Sequence, residues 1–186
     1  MQIVLVGAQC VGKTTLIKEL AKDYPEDIII ELIRTCARQN SNVKVNENGN
    51  DESQCYLFET YVEALNDREN FIADRSMFDV TAYTKIMYDY GNVTLDTLET
   101  LYSRLVDFLN NHPKIQHYHI PPMFPIVADG FRSVSLEFQQ HAEAAIQWLD
   151  TRLRSDKNVR HYNLFTTQNI DVKKRLDEIY AMIDGH

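Results

Sequence analysis

Cysteine, long apolar runs and positive charge are all scarce in this sequence. The three cysteines, at positions 10, 36 and 55, are odd in number and lack the spacing of metal ligands, which argues against a disulfide framework or a zinc site. No apolar run approaches the roughly 20 residues of a membrane-spanning helix. Acidic residues outnumber basic ones by 27 to 19, giving a net charge of −8. Broad affinity for nucleic acid or for anionic membranes is therefore disfavoured, although a local basic groove is compatible with this balance.

The length and the beginning of the sequence carry further expectations. A chain of 186 residues suits one domain, residues 1–186, with a sheet covered on both faces. The first apolar strand starts at once and leaves no room for a signal peptide, so a cytoplasmic protein is expected. The oligomeric state stays open, with a dimer among the alternatives.

The first turn of the chain carries the most specific motif. Residues 7–14 read Gly-Ala-Gln-Cys-Val-Gly-Lys-Thr, between an apolar run at 3–6 and a helical pattern that starts at Lys13. A strand, G-x-x-x-x-G-K-[ST] and a helix in this order are typical of the phosphate-binding loop. Backbone amides and the positive end of the helix form a cradle for anions there. The predicted nucleotide-binding residues are Gly7, Ala8, Gln9, Cys10, Val11, Gly12, Lys13, Thr14 and Thr15.

The same motif predicts the cofactors. Lys13 is expected to reach the terminal phosphates, and the Thr14 hydroxyl is expected to bind Mg²⁺. No Asn-Lys-x-Asp guanine motif occurs in the sequence, which favours ATP over GTP. We therefore expect a nucleoside triphosphate, ATP, with Mg²⁺.

Strand patterns alternate with helical patterns along the chain, which predicts an α/β fold with a parallel sheet between helices. The predicted strands lie at 3–6, 27–30, 70–73, 115–120 and 159–164. The predicted helices lie at about 13–23, from 53 onward, at 79–90, from 94 to 109, at 135–154 and at 171–183. Residues 39–54 are polar and rich in asparagine, and they are predicted to form a mobile loop. Histidines near 112–119 flank a strand, but no carboxylate spacing supports a metal site there.

Charged residues follow several predicted strands, where parallel sheets collect their ligands. Transfer of a γ-phosphoryl group needs Mg²⁺, cations on the phosphates and a group that holds the acceptor hydroxyl. Asp74 could hold Mg²⁺ directly or through water, and Glu31 could accept the proton of the hydroxyl. Arg75 and Arg132 could bind the transferred phosphate, and Arg34 the acceptor.

Simpler interpretations exist for each of these residues. Asp74 and Arg75 could form a surface ion pair, Glu31 could be an ordinary acid after an apolar strand, and Arg132 could be a solvated loop arginine. Thr166, Thr167 and Gln168 follow the last predicted strand, where related folds contact adenine, and that comparison is positional only.

Four motifs together carry a family resemblance. They are the phosphate loop, a Glu-x-x-Arg at 31–34, the string Ile-Ala-Asp-Arg-Ser-Met-Phe-Asp-Val-Thr-Ala-Tyr at 72–83, and Asp-Gly-Phe-Arg at 129–132. In these the chain resembles the P-loop kinases of the AAA ATPase group typified by the NadR-type nicotinamide riboside kinase domain. It is similar more distantly to deoxynucleoside and thymidylate kinases.

The resemblance implies a three-layer P-loop NTPase fold with strand order 2-3-1-4-5 and a lid at about 121–134 over the phosphates. It implies that Arg132 is the lid arginine, that Asp74 and Arg75 are the carboxylate-arginine pair, and that Glu31 is the acceptor-side acid. The Asn-rich loop after residue 39 differs from the family's acceptor region, so the identity of the acceptor does not carry over. A single arginine near Asp129 weakens the case for a monophosphate acceptor, whose extra charge needs further cations.

The leading hypothesis is an ATP- and Mg²⁺-dependent kinase that phosphorylates a hydroxyl of a small nucleoside-like or nucleotide acceptor. Its catalytic residues would be Lys13, Glu31, Asp74, Arg75 and Arg132; the metal residues would be Thr14 and Asp74; and the acceptor residues would be Glu31, Arg34 and Arg75. One alternative is a kinase that acts on a modified base or an end in DNA, which the net charge disfavours. Another is a nucleotide-dependent ATPase or switch without a small acceptor.

Overall fold

The sheet at the centre of the molecule has five parallel strands in the order β2-β3-β1-β4-β5. A computed structural model describes residues 1–29, 32–123 and 135–185, apart from the side chains of Arg34 and Asn46. The strands are β1 (Gln2–Val6), β2 (Ile28–Ile29), β3 (Phe71–Asp74), β4 (Ile115–His119) and β5 (Leu164–Thr166). The predicted fold class and strand order are confirmed.

The central strand explains where the site lies. Ile3 to Val6 are fully buried, as expected of a continuous apolar run in a parallel sheet that is covered on both faces. Leu5 lies opposite Asp74 of β3, and Val6 lies opposite His119 of β4. The residues that follow these strands therefore meet at one edge of the sheet, next to the loop that begins at Gly7.

Helices surround the sheet, and most begin at a polar capping residue. They are α1 (Lys13–Leu20), α2 (Leu32–Gln39), α3 (Asp51–Leu65), α4 (Met77–Asp89), α5 (Leu95–Asn111), α6 (Leu136–Ser155) and α7 (Val172–Asp184), with a short 3-10 turn at Asn46–Asn48. Side chains of Asn50, Ser76, Thr94, Ser135 and Asp171 accept hydrogen bonds from the first turns of α3, α4, α5, α6 and α7. Helix α4 packs against α3, α5 and α6 and is the most enclosed of the helices in the described part of the chain.

Several predicted boundaries were wrong. Helix α2 was not predicted; it has only eight residues, and its apolar side chains Leu32, Ile33 and Cys36 pack against the core. Helix α1 ends at Leu20 and is followed by turns, earlier than the predicted residue 23. Strand β5 covers 164–166, whereas the prediction placed it at 159–164, because its ladder with β4 begins at the pair His117 and Leu164.

The Asn-rich segment is shorter than predicted. Helix α3 begins at Asp51, capped by the Asn50 side chain, so residues 51–54 of the predicted loop form its first turn. Val43 is buried, and the Lys44 amide donates a hydrogen bond to the Ser53 hydroxyl. The mobility of residues 39–50 stays a prediction. Among the described residues, no helix has both the length and the apolar character that crossing a membrane requires.

His117 is an ionisable group inside the core. Its ring lies against Phe78 and Tyr162, with centroid distances of 5.2 and 5.6 Å. Its Nδ1 lies 3.1 Å from the carbonyl oxygen of Asn163 and donates to it. Burial lowers the pKa of His117 to about 4, from an ordinary value of 6.5, and outweighs the opposing effect of that hydrogen bond. The folded protein therefore keeps this ring neutral at physiological pH.

This arrangement predicts a pH-dependent stability. Because the folded state binds the His117 proton more weakly than the unfolded chain does, its stabilising effect is complete above pH 6.5 and declines as the pH falls towards 4. The free energy of unfolding should drop by about 3 kcal/mol over that interval through this group alone. Urea unfolding at pH 7.5, 6 and 5 should show a smaller decline for His117→Phe than for the wild type. His161→Gln, which changes an exposed histidine, is the control. Equal declines in the wild type and His117→Phe would contradict the prediction.

Candidate active site

The phosphate loop, residues 7–14, connects β1 to α1 and contains two positions that require glycine. A Cβ on Gly7 would lie 2.6 Å from the backbone oxygen of Ile120, which is too close for any side chain. Gly12 has a φ of 96°, and L side chains rarely adopt this conformation. Cys10 also has a positive φ, 62°, which is unusual for a residue with a side chain. Helix α1 has no acidic residue in its first turn, so no carboxylate there competes with a bound anion.

Lys13 is folded back over this loop. Its side chain is buried, and Nζ donates to the carbonyl oxygens of Gly7, at 2.8 Å, and Ala8, at 2.7 Å. Both acceptors are neutral. Oxygens of a triphosphate are charged and accept more strongly, so the ammonium group is placed to exchange these carbonyls for phosphate.

Asp74 ends β3 directly beside the loop. Its Oδ2 lies 3.5 Å from the hydroxyl oxygen of Thr14, and its backbone carbonyl accepts a hydrogen bond from the Tyr61 hydroxyl at 3.3 Å. Its other carboxylate oxygen, Oδ1, is buried and has no hydrogen-bond partner among the residues that the structure describes. A buried charged oxygen without a partner is costly, which indicates that it serves a ligand. A carboxylate next to a hydroxyl offers the hard oxygen donors that Mg²⁺ prefers, so Thr14 and Asp74 fit the predicted metal.

Arg75 follows Asp74 and is held from several sides. Its backbone has a φ of 76°, and its amide donates to the carbonyl of Leu5. The guanidinium lies 3.4 Å from Asp79 Oδ1 and 5.0 Å from the centre of the Tyr83 ring. Burial alone would lower the pKa of Arg75, but Tyr83, Asp79 and Asp74 together raise it above its usual value. Arg75 is therefore a permanent, oriented cation, and the surface ion pair between Asp74 and Arg75 is not what the structure contains.

Asp79 joins the arginine to the phosphate loop. This carboxylate is fully buried in the first turn of α4. Its Oδ1 accepts from the Gly7 amide, at 3.4 Å, as well as from Arg75, and its Oδ2 accepts from the Ser76 amide, at 3.2 Å. One side chain therefore fixes Arg75 and Gly7 relative to each other. In the sequence, Asp79 stands out only as part of the family motif at 72–83, which does not indicate this role.

A second connection runs through Tyr83. Its hydroxyl donates to Gln9 Oε1, at 3.2 Å, and accepts from Arg75 Nη2, at 3.4 Å. The backbone oxygen of Gln9 accepts from Gln139 of α6, at 2.8 Å. Within the described part of the chain, Gln9 Nε2 is buried and has no hydrogen-bond partner. Gln9 therefore does more than form part of the loop, because its side chain is connected through the Tyr83 hydroxyl to Arg75, which is predicted to lie on the acceptor side.

Arg175 of α7 is a further residue that the sequence analysis missed. Its side chain is buried and reaches the carbonyl of Val11 in the phosphate loop, the carbonyl of Asn169 and the sulfur of Met123. The only sign in the sequence was its spacing, four residues before Ile179 on the inward face of α7. Nearby, Glu178 accepts from the Thr167 hydroxyl and from the Asn169 amide group, so Thr167 is already engaged.

The remaining predicted site residues are only partly covered. Glu31 and Arg132 lie outside the described residues, as does most of the predicted lid, from 124 to 134. Arg34 lies in α2, but its side chain is outside the description. The structure therefore brings together Lys13 and Thr14 with Asp74 and Arg75, and the roles of all seven residues stay predictions.

Solved structures with this fold include several kinases. Deoxyadenosine kinase from M. mycoides aligns over 100% of this chain and 99% of its own, with a TM-score of 0.68 and 19% identity. NadR protein in complex with NR aligns with a TM-score of 0.69 and 16% identity, covering 97% of this chain and 50% of the NadR chain. Thymidylate kinase from Ehrlichia chaffeensis gives a TM-score of 0.56 and 17% identity over 99% of this chain and 98% of its own.

Sequence comparison identifies the family. No curated protein sequence matches the chain significantly. Residues 2–175 match the family model AAA_28, described as an AAA domain. This range includes the phosphate loop, Asp74, Arg75 and Arg175, and it confirms the predicted membership of the P-loop AAA group. The chain belongs to the AAA_28 family of AAA domains.

Proposed function

We propose that this protein is an ATP- and Mg²⁺-dependent kinase that transfers the terminal phosphoryl group to a hydroxyl of a small nucleoside-like or nucleotide acceptor. The observation that carries the proposal is the position of Asp79, which binds both the Gly7 amide and the Arg75 guanidinium. Phosphoryl transfer to an acceptor depends on a fixed geometry between donor and acceptor sites. The buried Asp79 carboxylate links the phosphate loop to the Arg75 guanidinium and so holds the two in a fixed relative position.

The proposed mechanism assigns a step to each residue. Lys13 exchanges the carbonyls of Gly7 and Ala8 for oxygens of the terminal phosphates and neutralises the charge that develops there. Thr14 and Asp74 would hold Mg²⁺, which would supply charge neutralisation and alignment of the phosphates. Arg75 orients the acceptor.

The proton of the acceptor hydroxyl passes to the Glu31 carboxylate as the hydroxyl oxygen forms its bond to phosphorus and the bond to the ADP oxygen breaks. Arg132 stabilises the transferred group from the lid, and Arg34 binds the far part of the acceptor. The roles of Glu31, Arg132 and Arg34 are inferred from the sequence motifs, and substituting each residue in turn would test them.

The kinases with the same fold support the class of acceptor. Their names specify deoxyadenosine and thymidylate, and NadR was solved with NR bound. A nucleoside-like acceptor is the chemistry that these share. The proposal includes a cytoplasmic location, where ATP and such acceptors occur together.

An acceptor panel tests the proposal. The protein is incubated with Mg-ATP and, separately, deoxyribonucleosides, ribonucleosides, nicotinamide riboside, thymidylate and a 5′-hydroxyl oligonucleotide, and ADP release and the mass of each product are measured. At least one small acceptor should raise ADP release by about 100-fold over ATP alone, because the oriented acceptor hydroxyl replaces water.

The other outcomes separate the alternatives. Salt-sensitive phosphorylation of the oligonucleotide alone would favour the DNA kinase. ATP hydrolysis that no acceptor accelerates would contradict the kinase proposal and favour an ATPase or switch. The variant Asp67→Asn, which changes an exposed carboxylate before the start of β3, at the opposite end of that strand from Asp74, should behave as the wild type throughout.

A further inference from the structure

Arg175 connects helix α7 to the backbone of the phosphate loop. The residue lies on the first turns of α7 and is only 1% exposed. Nη1 donates to the carbonyl oxygen of Val11, at 3.2 Å, and Nε donates to that of Asn169, at 2.6 Å. The same planar group thus holds two backbone segments, one in the phosphate loop and one in the loop after β5.

The bond to Val11 determines the direction of a neighbouring amide. A peptide unit is planar and trans, so its carbonyl oxygen and its N–H point in opposite directions. Because the Val11 carbonyl points to Arg175, the Gly12 N–H of the same peptide unit points away from it. Gly12 is the N-cap of α1, has a φ of 96° and receives no side-chain cap. Glycine allows this peptide to rotate, so an external contact is needed to select one orientation.

We propose that Arg175 is a positioning residue of the nucleotide site: it holds the Val11 carbonyl outward so that the Gly12 N–H faces the bound phosphates. Through Asn169 the same guanidinium fixes the loop after β5 at a constant distance from the phosphate loop. The inference rests on the nucleotide-binding part of the proposed function and is independent of the acceptor.

An arginine suits this role better than a lysine. The guanidinium is a rigid plane that donates on several sides, so one group can reach Val11 and Asn169 together while a third side faces Met123. A lysine at 175 would keep the positive charge but would offer a single small ammonium group in place of this plane. The comparison of the two side chains therefore separates positioning from simple charge.

The test combines binding with a spectroscopic measurement on Arg175→Gln, Arg175→Lys and the control Lys174→Gln, which changes the exposed neighbour on α7. Affinity for Mg-ATP and for Mg-tripolyphosphate is measured by calorimetry. Arg175→Gln should bind both ligands about 10- to 100-fold more weakly, because the lost contact leaves a phosphate oxygen without its amide. Arg175→Lys should recover only part of this loss, and Lys174→Gln should match the wild type.

The amide of Gly12 can be observed directly. The chain has six glycines, and only Gly7 and Gly12 follow a valine, so labelling valine carbonyls and glycine nitrogens isolates these two amides. Adding Mg-tripolyphosphate to the wild type should shift the Gly12 amide proton downfield, as expected for a hydrogen bond to a charged oxygen. In Arg175→Gln this shift should be lost. The Gly7 amide, which bonds to Asp79, is followed in the same spectra and distinguishes a change at Gly12 from a change of the whole loop.

Several results would overturn the inference. One is an affinity of Arg175→Gln for Mg-tripolyphosphate within twofold of the wild-type value. Another is a Gly12 amide-proton shift in Arg175→Gln equal to that of the wild type. A third is full recovery of the affinity in Arg175→Lys, which would indicate a role for charge alone. If Arg175→Gln does not fold, the decision falls to Arg175→Lys, where normal affinity and a normal shift contradict the proposal. None of these measurements uses turnover, so they remain informative even if the acceptor panel fails.

Discussion

Replacing Lys13 with Met lowers kcat/KM for ATP by about 100- to 1000-fold, the range typical of losing one preorganised charged group. Met keeps the length and apolar stem of the buried side chain, so the fold should persist while the ammonium group that now bonds to Gly7 and Ala8 is lost. Steady-state kinetics with the best acceptor of the panel, together with a melting curve, measure this effect.

Lys18→Met is the matched control, because Lys18 is exposed on the same helix and loses the same charge. It should retain full activity. If kcat/KM of Lys13→Met equals that of the control, the proposed role of the Lys13 ammonium group in phosphoryl transfer is wrong.

Replacing Asp74 with Asn has opposite effects on activity and on stability. Activity should fall by about 100- to 1000-fold and require more Mg²⁺, because the carboxylate beside Thr14 is lost. The melting temperature without nucleotide should rise, because the variant no longer buries a charged oxygen without a partner. Titration of activity with Mg²⁺ and thermal unfolding test the two halves separately.

The two halves of this prediction fail in different ways. An unchanged Mg²⁺ requirement would show that Asp74 does not serve the metal. A lower melting temperature would show that the carboxylate has a structural partner after all. The exposed Asp67→Asn variant should change neither quantity.

The part of the fold that sequence predicts well is local. A four-residue apolar run, a loop motif and a helical pattern follow one another within 20 residues, so β1, the phosphate loop and α1 could be placed from sequence alone. Asp74 and Arg75 were placed correctly because parallel strands end at one edge of the sheet. The strand order followed from the family resemblance, which the same motifs carried.

The part that sequence did not predict depends on contacts between distant residues. Tyr83 meets Gln9 across 74 positions, and Arg175 meets Val11 across 164. Hydrophobic periodicity reports which face of an element is buried, but it does not report which other element covers that face. The prediction also missed α2, because a helix of eight residues is marginal on its own and depends on packing such as its contact with α3.

The position of Arg175 also has a consequence for how the protein forms during synthesis. The ribosome produces residues 7–14 early, but the guanidinium that holds Val11 emerges more than 150 residues later. Tyr180 likewise bonds to Asp23, just after α1, so α7 can dock beside α1 only after residues 172–184 have been synthesised. Contacts of such long sequence separation form slowly, because a large loop must close before they contribute. If Arg175 positions the nucleotide site as proposed, the nascent chain carries the complete phosphate-loop sequence well before it can bind nucleotide with full affinity, and that affinity then reports on the docking of α7.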